Sequence, residues 1–159
     1  MGELRPPGLD RKAIALTEMK AVFTTKSGSG YDDIVEKQYH FPGTYLAQVE
    51  NAAGDEIIYY EPRRQADIAA GGRQAYFAMA RLVSIESDPM RDGHYYARLE
   101  DFLDFDTAVP FRTPEGYFES MLQRPDGETN KGAFGRSVRN ISNNDPLQSL
   151  PQAFQIMIG

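Results

Sequence analysis

Residues 55–62 read "DEIIYYEP" and residues 74–86 read "QAYFAMARLVSIE". The first is β-branched and aromatic and stops at Pro62, which has no N–H to give a ladder, so it reads as a strand. Adjacent Tyr59 and Tyr60 then send one ring to each face of the sheet. The second is a longer strand with Ala75, Phe77, Met79, Val83 and Ile85 on one parity and Gln74, Tyr76, Ala78 and Ala80 on the other. Between them "RRQADIAAGGR" is a loop rich in arginine, alanine and glycine.

Outward from this pair, "KAVFTT" (20–25) reads as a first strand and Lys26–Gly30 as a loop. Thr44 is placed to cap a helix whose Tyr45, Leu46 and Val49 face inward and which Gly54 closes. "DPMRDG" is a turn, and "HYYARLEDFLDFD" (94–106) is the next strand or pair of strands. "EGYFESML" fits a last strand or a short helix, and "GAFGRSVRNIS" fits a helix with Phe134, Val138 and Ile141 on one face. "LDRKAIALTEM" fits a short helix, and the tail "NNDPLQSLPQAFQIMIG" has no clear period. The pattern predicts an α+β fold: roughly four to six strands in a small, mostly antiparallel curled sheet or pseudo-barrel, with two or three helices packed outside. Residues 1–19 are expected to be an arm or short helix, 20–142 the folded domain, and 143–159 a poorly ordered tail.

Composition narrows the chemistry. The chain has 159 residues, a net charge of −6, no cysteine and no tryptophan. Absence of cysteine removes disulfides, thiolate catalysis and cysteine-based zinc sites. No apolar run reaches the length of a membrane span, and the N-terminus lacks the apolar core of a signal peptide. A cytoplasmic location without membrane partners is therefore expected.

Net acidity argues against coating nucleic acid over the whole surface. The charge is uneven, however: residues 86–106 hold seven acids against two arginines, while 59–81 carry Arg63, Arg64, Arg73 and Arg81 against Glu61 and Asp67. Residues 122–139 add Arg124, Lys131, Arg136 and Arg139. Scattered solvated charge is the plainer reading of these groups, and a local basic face is the sharper one.

Familiar catalytic patterns fail on spacing. His40 and His94 form no paired metal motif, and His40 in "YHFP" suits a structural hydrogen bond better. Ser27 and Ser29 lack the strand–elbow–helix setting of a serine hydrolase. "GSG" and "GG" match no phosphate loop. "RPDGETNKG" (124–132) crowds its acids and lysine into one surface turn, and Asp32–Asp33 suits capping better than cation binding. No metal or other cofactor is expected.

What remains is aromatic and basic. Tyr31, Tyr39, Phe41, Tyr45, Tyr59, Tyr60, Tyr76 and Phe77 border loops, although most such rings belong to a core. Recognition of an extruded base needs flat rings, amides or carboxylates to read its edge, and cations for the flanking phosphates. Tyr31, Tyr39 and Tyr60 are the ring candidates. Asp32, Asp33 and Gln74 are the edge candidates, since a carboxylate accepts from the exocyclic amine of cytosine. Lys26, Arg63, Arg64 and Arg73 are expected on phosphates, with Ser27 and Ser29 adding hydroxyls.

The segments "YHFPGTYLAQVENAAGDEIIYYEPRR", "GRQAYFAMARLVSIESDP", "HYYARLEDFLDFDTAVPFR", "YFES" and "NKGAFGRSVRNIS" together resemble the N-terminal recognition domain of bacterial HNH-type, modification-dependent restriction endonucleases. The resemblance spans about residues 20 to 142. The "GD–strand–YY" step, the strand "AMARLVSI", the acidic strand and "VPF" are also similar to the PUA superfamily, which includes the EVE, YTH, ASCH and SRA-like domains. "TTKSGSGYDD" looks like the loop that helps to build the base pocket in YTH domains. The resemblance implies a pseudo-barrel that flips a modified base, commonly a modified cytosine such as 5-methylcytosine, out of DNA. It also implies an HNH nuclease domain or nuclease partner downstream, which residues up to Gly159 do not contain. Without tryptophan, Tyr or Phe must form the cage.

The expectation is a non-catalytic DNA-binding domain that reads a modified base for a restriction-type system. A modified-RNA reader is the alternative among binding modules. From another class, a small-molecule-binding or hydrolytic enzyme would use Asp32 and Glu61 in a cavity.

Overall fold

The computed structural model describes residues 19–25, 31–62 and 74–149. The expected N-terminal arm up to residue 18 and the last ten residues of the tail lie outside these, as do Lys26, Ser27, Ser29, Arg63, Arg64 and Arg73. The described strands are β1 (Met19–Thr24), β2 (Gln38–Pro42), β3 (Glu56–Glu61), β4 (Ala75–Ser87), β5 (His94–Pro110), β6 (Arg112–Thr113), β7 (Gly116–Tyr117) and β8 (Val138–Asn140). Two short helices accompany them, α1 (Leu46–Glu50) and α2 (Lys131–Phe134).

Six strands form one mixed sheet in the order β2-β5-β4-β3-β1-β8, and β6 pairs with β7 as a separate hairpin. Only β1 against β3 is parallel; the other pairings are antiparallel. The sheet curls strongly. Tyr39 on edge strand β2 donates its hydroxyl to Thr24 O at 2.8 Å, with Ser137 O at 3.3 Å, and its ring stacks on Phe23 at 4.5 Å. Those partners belong to β1 and the approach to β8, at the opposite end of the strand order. The fold is thus an α+β half-barrel, consistent with a PUA-like pseudo-barrel.

Bulges make the curl possible, because each extra residue bends its strand and increases the local twist. The β4–β5 register shifts between Tyr76 and Ala78, between Met79 and Arg81, and between Leu82 and Ser84. The simple alternation expected for β4 is broken accordingly. Phe77 packs with Ala78, Ala80 and Leu82 in the interior cluster, whereas Tyr76 and Met79 turn to the outer one.

The interior mixes small and large side chains, Ala21, Ala78, Ala80 and Ala97 against Phe23, Tyr39, Phe41 and Tyr59, which lets a narrow barrel fill without voids. The outer cluster holds Met19, Val22, Ile58, Tyr60, Tyr76 and Met79, covered by Phe111, Phe118, Phe134 and Leu147. Each of the larger apolar side chains, once fully buried, contributes about 1.5–3 kcal/mol. Tyr59 and Tyr60 indeed divide between the two faces.

Three local expectations are corrected. Thr44 does not cap α1: Tyr45 takes the N-cap position with no side-chain cap bond, although Val49 is buried and Gly54 closes the segment at φ 86°. The helix expected through Ile141 stops at Phe134. Asn130 caps its start by accepting from Ala133 N, and Val138–Asn140 becomes a strand on the free edge of β1. Two glycines weaken that helix, and the open ladder of β1 offers backbone partners instead. In a helix Val138 and Ile141 would share a face; here they lie in different clusters. Finally, the expected tail is anchored at Asp145 and Leu147, although Asn143, Asn144, Pro146 and Ser149 are exposed. Leu147 is fully buried, and the Gln148 side chain exchanges hydrogen bonds with the backbone of Met19 at 2.7 Å each way.

Candidate functional site

The expected base-binding residues fall into three places. Tyr31, Asp32 and Asp33 precede β2 and are tied to it. The Asp32 backbone N–H donates to His40 Nδ1 at 3.0 Å, and the Asp32 carboxylate accepts from Gln38 and from the Tyr96 hydroxyl. Asp33 accepts from the His40 backbone N–H at 2.8 Å. A backbone N–H can only donate, so His40 carries its proton on Nε2 and gives it to Asp88 Oδ2 at 2.8 Å. Both imidazole nitrogens are occupied and the ring is sandwiched, stacked on Tyr96 at 4.5 Å with Tyr31 edge-on at 5.4 Å. Asp88 is held below the usual carboxylate range, first by the Met90 backbone N–H and then by His40. This corner fastens the loop, with Arg91 lying 5.3 Å over the Tyr31 ring.

Tyr39 is in the second place, the barrel interior. It is wholly buried, and burial above all pushes its phenol up. No face of its ring is open to a ligand.

Tyr60 and Gln74 are in the third place, and the fold brings them together. They line a cleft of about 500 Å³ with Pro62, Phe111, Arg112, Thr129, Lys131, Phe134 and Gly135. Tyr60 is its buried floor, packed edge-on against Phe111 and beside Phe134 at 5.4 Å. Its hydroxyl is buried without a hydrogen-bond partner, and burial raises its pKa. Phe111 and Phe134, half-buried, pack edge-to-face with ring centres 4.8 Å apart at 69° and together form one aromatic wall. Gln74 sits at the head of β4 with φ 50°, a left-handed conformation rare for a residue with a side chain, and its carbonyl accepts from Phe111 N. Arg112 and Lys131 stand exposed at the rim, and neither has an ion pair among the described residues.

Pro62 and Gln74, the described residues on either side of 63–73 in the sequence, both line the cleft. Thr25, which precedes Lys26, takes its backbone N–H to Tyr60 O at 2.9 Å.

Beneath the cleft lies a buried ion pair. Arg139 and Glu119 are 1% exposed each, and the guanidinium grips the carboxylate at 2.8 and 2.9 Å. Tyr76 adds a hydroxyl donor to Glu119 at 2.7 Å. Arg139 also donates to the Arg136 and Phe134 carbonyls and lies 5.5 Å from the ring centres of both Tyr60 and Phe134. Burial works to lower the Arg139 pKa, but hydrogen bonding and attraction to Glu119 outweigh it and leave it raised. The floor of the cleft is therefore rigid and permanently charged behind its rings.

Four cleft residues with recognition chemistry escaped the sequence reading: Phe111, Arg112, Lys131 and Phe134. Their signal was a ring beside a cation in each of two segments, "FR" at 111–112 and "KGAF" at 131–134. Asp32 and Glu61, the acids of the enzyme alternative, are held by different elements: Asp32, in the segment before β2, is bound to Tyr96 of β5, and Glu61 ends β3 opposite Ala75. No group of three or more His, Asp or Glu residues is placed to hold a metal among the described residues, and none of their helices is long and apolar enough to cross a membrane. Comparison of the chain with family models, curated proteins and solved structures finds no match.

Proposed function

We propose that this chain is a non-catalytic, cytoplasmic reader of a modified base in DNA, and that the base enters the cleft above Tyr60. One observation carries the reading. An aromatic wall, an amide and two cations with no ion pair among the described residues converge on one concavity of ligand-binding size. Phe111 and Phe134 supply ring faces, Gln74 offers both a donor and an acceptor to a base edge, and Arg112 and Lys131 meet the flanking phosphates. Modified cytosine remains the base class implied by the sequence resemblance. With Asp32 and Asp33 engaged elsewhere, edge reading falls to Gln74.

Gln74→Gly tests this while separating binding from folding. A side chain at positive φ carries about 1–2 kcal/mol of strain, and glycine's extra unfolded-state freedom costs about 0.5–1 kcal/mol, so stability should change little. Anisotropy titrations with duplexes holding one 5-methylcytosine or one cytosine should show the preference between them falling about 10- to 100-fold. An unchanged preference in a stably folded variant would remove Gln74 from base reading. Failure of the unaltered chain to bind either duplex would overturn the function itself.

A further inference from the structure

We infer that the cleft is the first station of a longer groove that takes an unpaired nucleic-acid strand, so that nucleotides beside the bound base run along the β6–β7 hairpin. The inference rests on the base-binding reading above and extends it from one base to a strand.

The cleft does not end at Arg112. That residue also lines a second concavity of about 560 Å³. The second shares Glu115, Gly116, Tyr117 and Gln123 with a third of about 620 Å³, which reaches Arg124 and Pro146. Side by side, and sharing lining residues, the three hollows form the track of the inferred groove. Along it rings and cations alternate: Phe134 and Phe111, then Arg112, then Tyr117, then Arg124. An unpaired strand presents the same alternation of base faces and phosphates, and single-strand grooves use rings for one and cations for the other. A duplex keeps its bases stacked inside and would leave Tyr117 with nothing to stack on.

Arg112 is built for the joint between two nucleotides. Its Nη1 donates to the Tyr117 hydroxyl at 3.1 Å, and its guanidinium lies 5.5 and 5.8 Å from the ring centres of Phe111 and Tyr117. Tyr117 is itself fixed by Thr129 Oγ1 at 2.6 Å. The guanidinium is thus held in place, with no carboxylate partner among the described residues, at the wall that two hollows share. A planar fork in that state suits a phosphodiester. Among the groove residues Arg112, Arg124 and Lys131 face a single acid, Glu115, in a chain whose net charge is −6. Arg124 is half-exposed and its 2.8 Å ion pair with Asp126 lies at the surface, so it can exchange that partner for a phosphate at little cost.

The test compares three probes: 5-methyl-2′-deoxycytidine 5′-monophosphate, a single-stranded DNA heptamer with 5-methylcytosine at its centre, and that heptamer annealed into a duplex. Each is titrated against the full chain and against Arg124→Ala. The heptamer should bind about 10- to 100-fold more tightly than the mononucleotide, as one further stacked base would give. Arg124→Ala should cut that advantage at least threefold and flatten the heptamer's salt slope by about 0.7. Equal affinities for mononucleotide and heptamer would overturn the track while leaving the base cleft standing. A variant that keeps the full advantage and slope, or a duplex that binds as tightly as the single strand, would also overturn it. No binding by mononucleotide, heptamer or duplex would overturn the base-binding reading, and the track with it.

Discussion

Glu119→Gln is the sharpest test of how the cleft floor is held. The substitution keeps the shape of the side chain and removes its charge. Arg139 stays charged, since a guanidinium is not deprotonated in a protein, and its remaining hydrogen-bond partners among the described residues are the Phe134 and Arg136 carbonyls and the Thr24 hydroxyl. An unpaired buried charge costs about 3–5 kcal/mol. For a domain of this size each kcal/mol moves the melting temperature by about 2–4 °C, so a fall on the order of 10 °C is expected. With total stabilities of about 5–15 kcal/mol, a fold that survives should still be measurable.

The chain has no tryptophan, so urea unfolding is followed by tyrosine fluorescence and far-UV circular dichroism together. The double variant Glu119→Leu with Arg139→Met supplies the control. Replacing both charges with apolar groups of similar volume is often neutral or stabilising, so the double variant should recover most of what Glu119→Gln loses. A single-variant loss below about 1 kcal/mol, or a double variant as unstable as the sum of its parts, would refute the claim that a buried charge pair fixes the floor.

Two further outcomes follow from buried groups elsewhere. Tyr39→Phe removes a hydroxyl that two carbonyls use and should cost about 1–1.5 kcal/mol, whereas Tyr60→Phe removes an unpartnered one and should be neutral or stabilising; equal losses in urea midpoints would contradict the hydrogen-bond assignment. Asp88 has a depressed folded pKa, so its stabilising contribution is present above the unfolded carboxylate value of about 3.9 and is lost as pH falls through the folded one. Asp88→Asn should flatten the acid limb of the stability–pH curve, and an unchanged limb would show that Asp88 does not drive it.

The strands were legible where their side chains follow simple rules. "DEIIYYEP" carries its own start, period and stop, and the structure gives β3 over Glu56–Glu61. The two-faced Tyr59–Tyr60 step was equally plain. What the sequence hid was long-range. Val138–Asn140 has local helical spacing, and only the vacant edge of β1, more than a hundred residues earlier, makes it a strand. The bulges of β4 exist because the sheet must curl toward β2, a requirement no window of a dozen residues contains. The cleft residues were obscured for the same reason. Phe111 and Phe134 are ordinary apolar residues until the fold packs them together beside the cleft.

The geometry of the floor has a consequence for how the cleft would discriminate on the base-binding reading. Tyr60 is fully buried, its hydroxyl unpartnered, and Arg139 braces its ring from behind. An unsatisfied buried hydroxyl costs about 1–3 kcal/mol, and the compact packing around it leaves no room for the ring to swing out and recover that loss. Tyr60 therefore has no ring face open to a ligand, and the floor can set the depth of the cleft but not identity. Discrimination has to come from groups that still have bonds to make, and those stand at the rim: Gln74 with its amide, and Arg112 and Lys131 with no ion pair among the described residues. Of these the cations are indifferent to the base, since phosphate contacts position without reading sequence. Identity is left to the amide of a single residue in a strained backbone conformation, which is why Gln74, rather than any tyrosine, is the side chain whose loss should separate tight binding from selective binding.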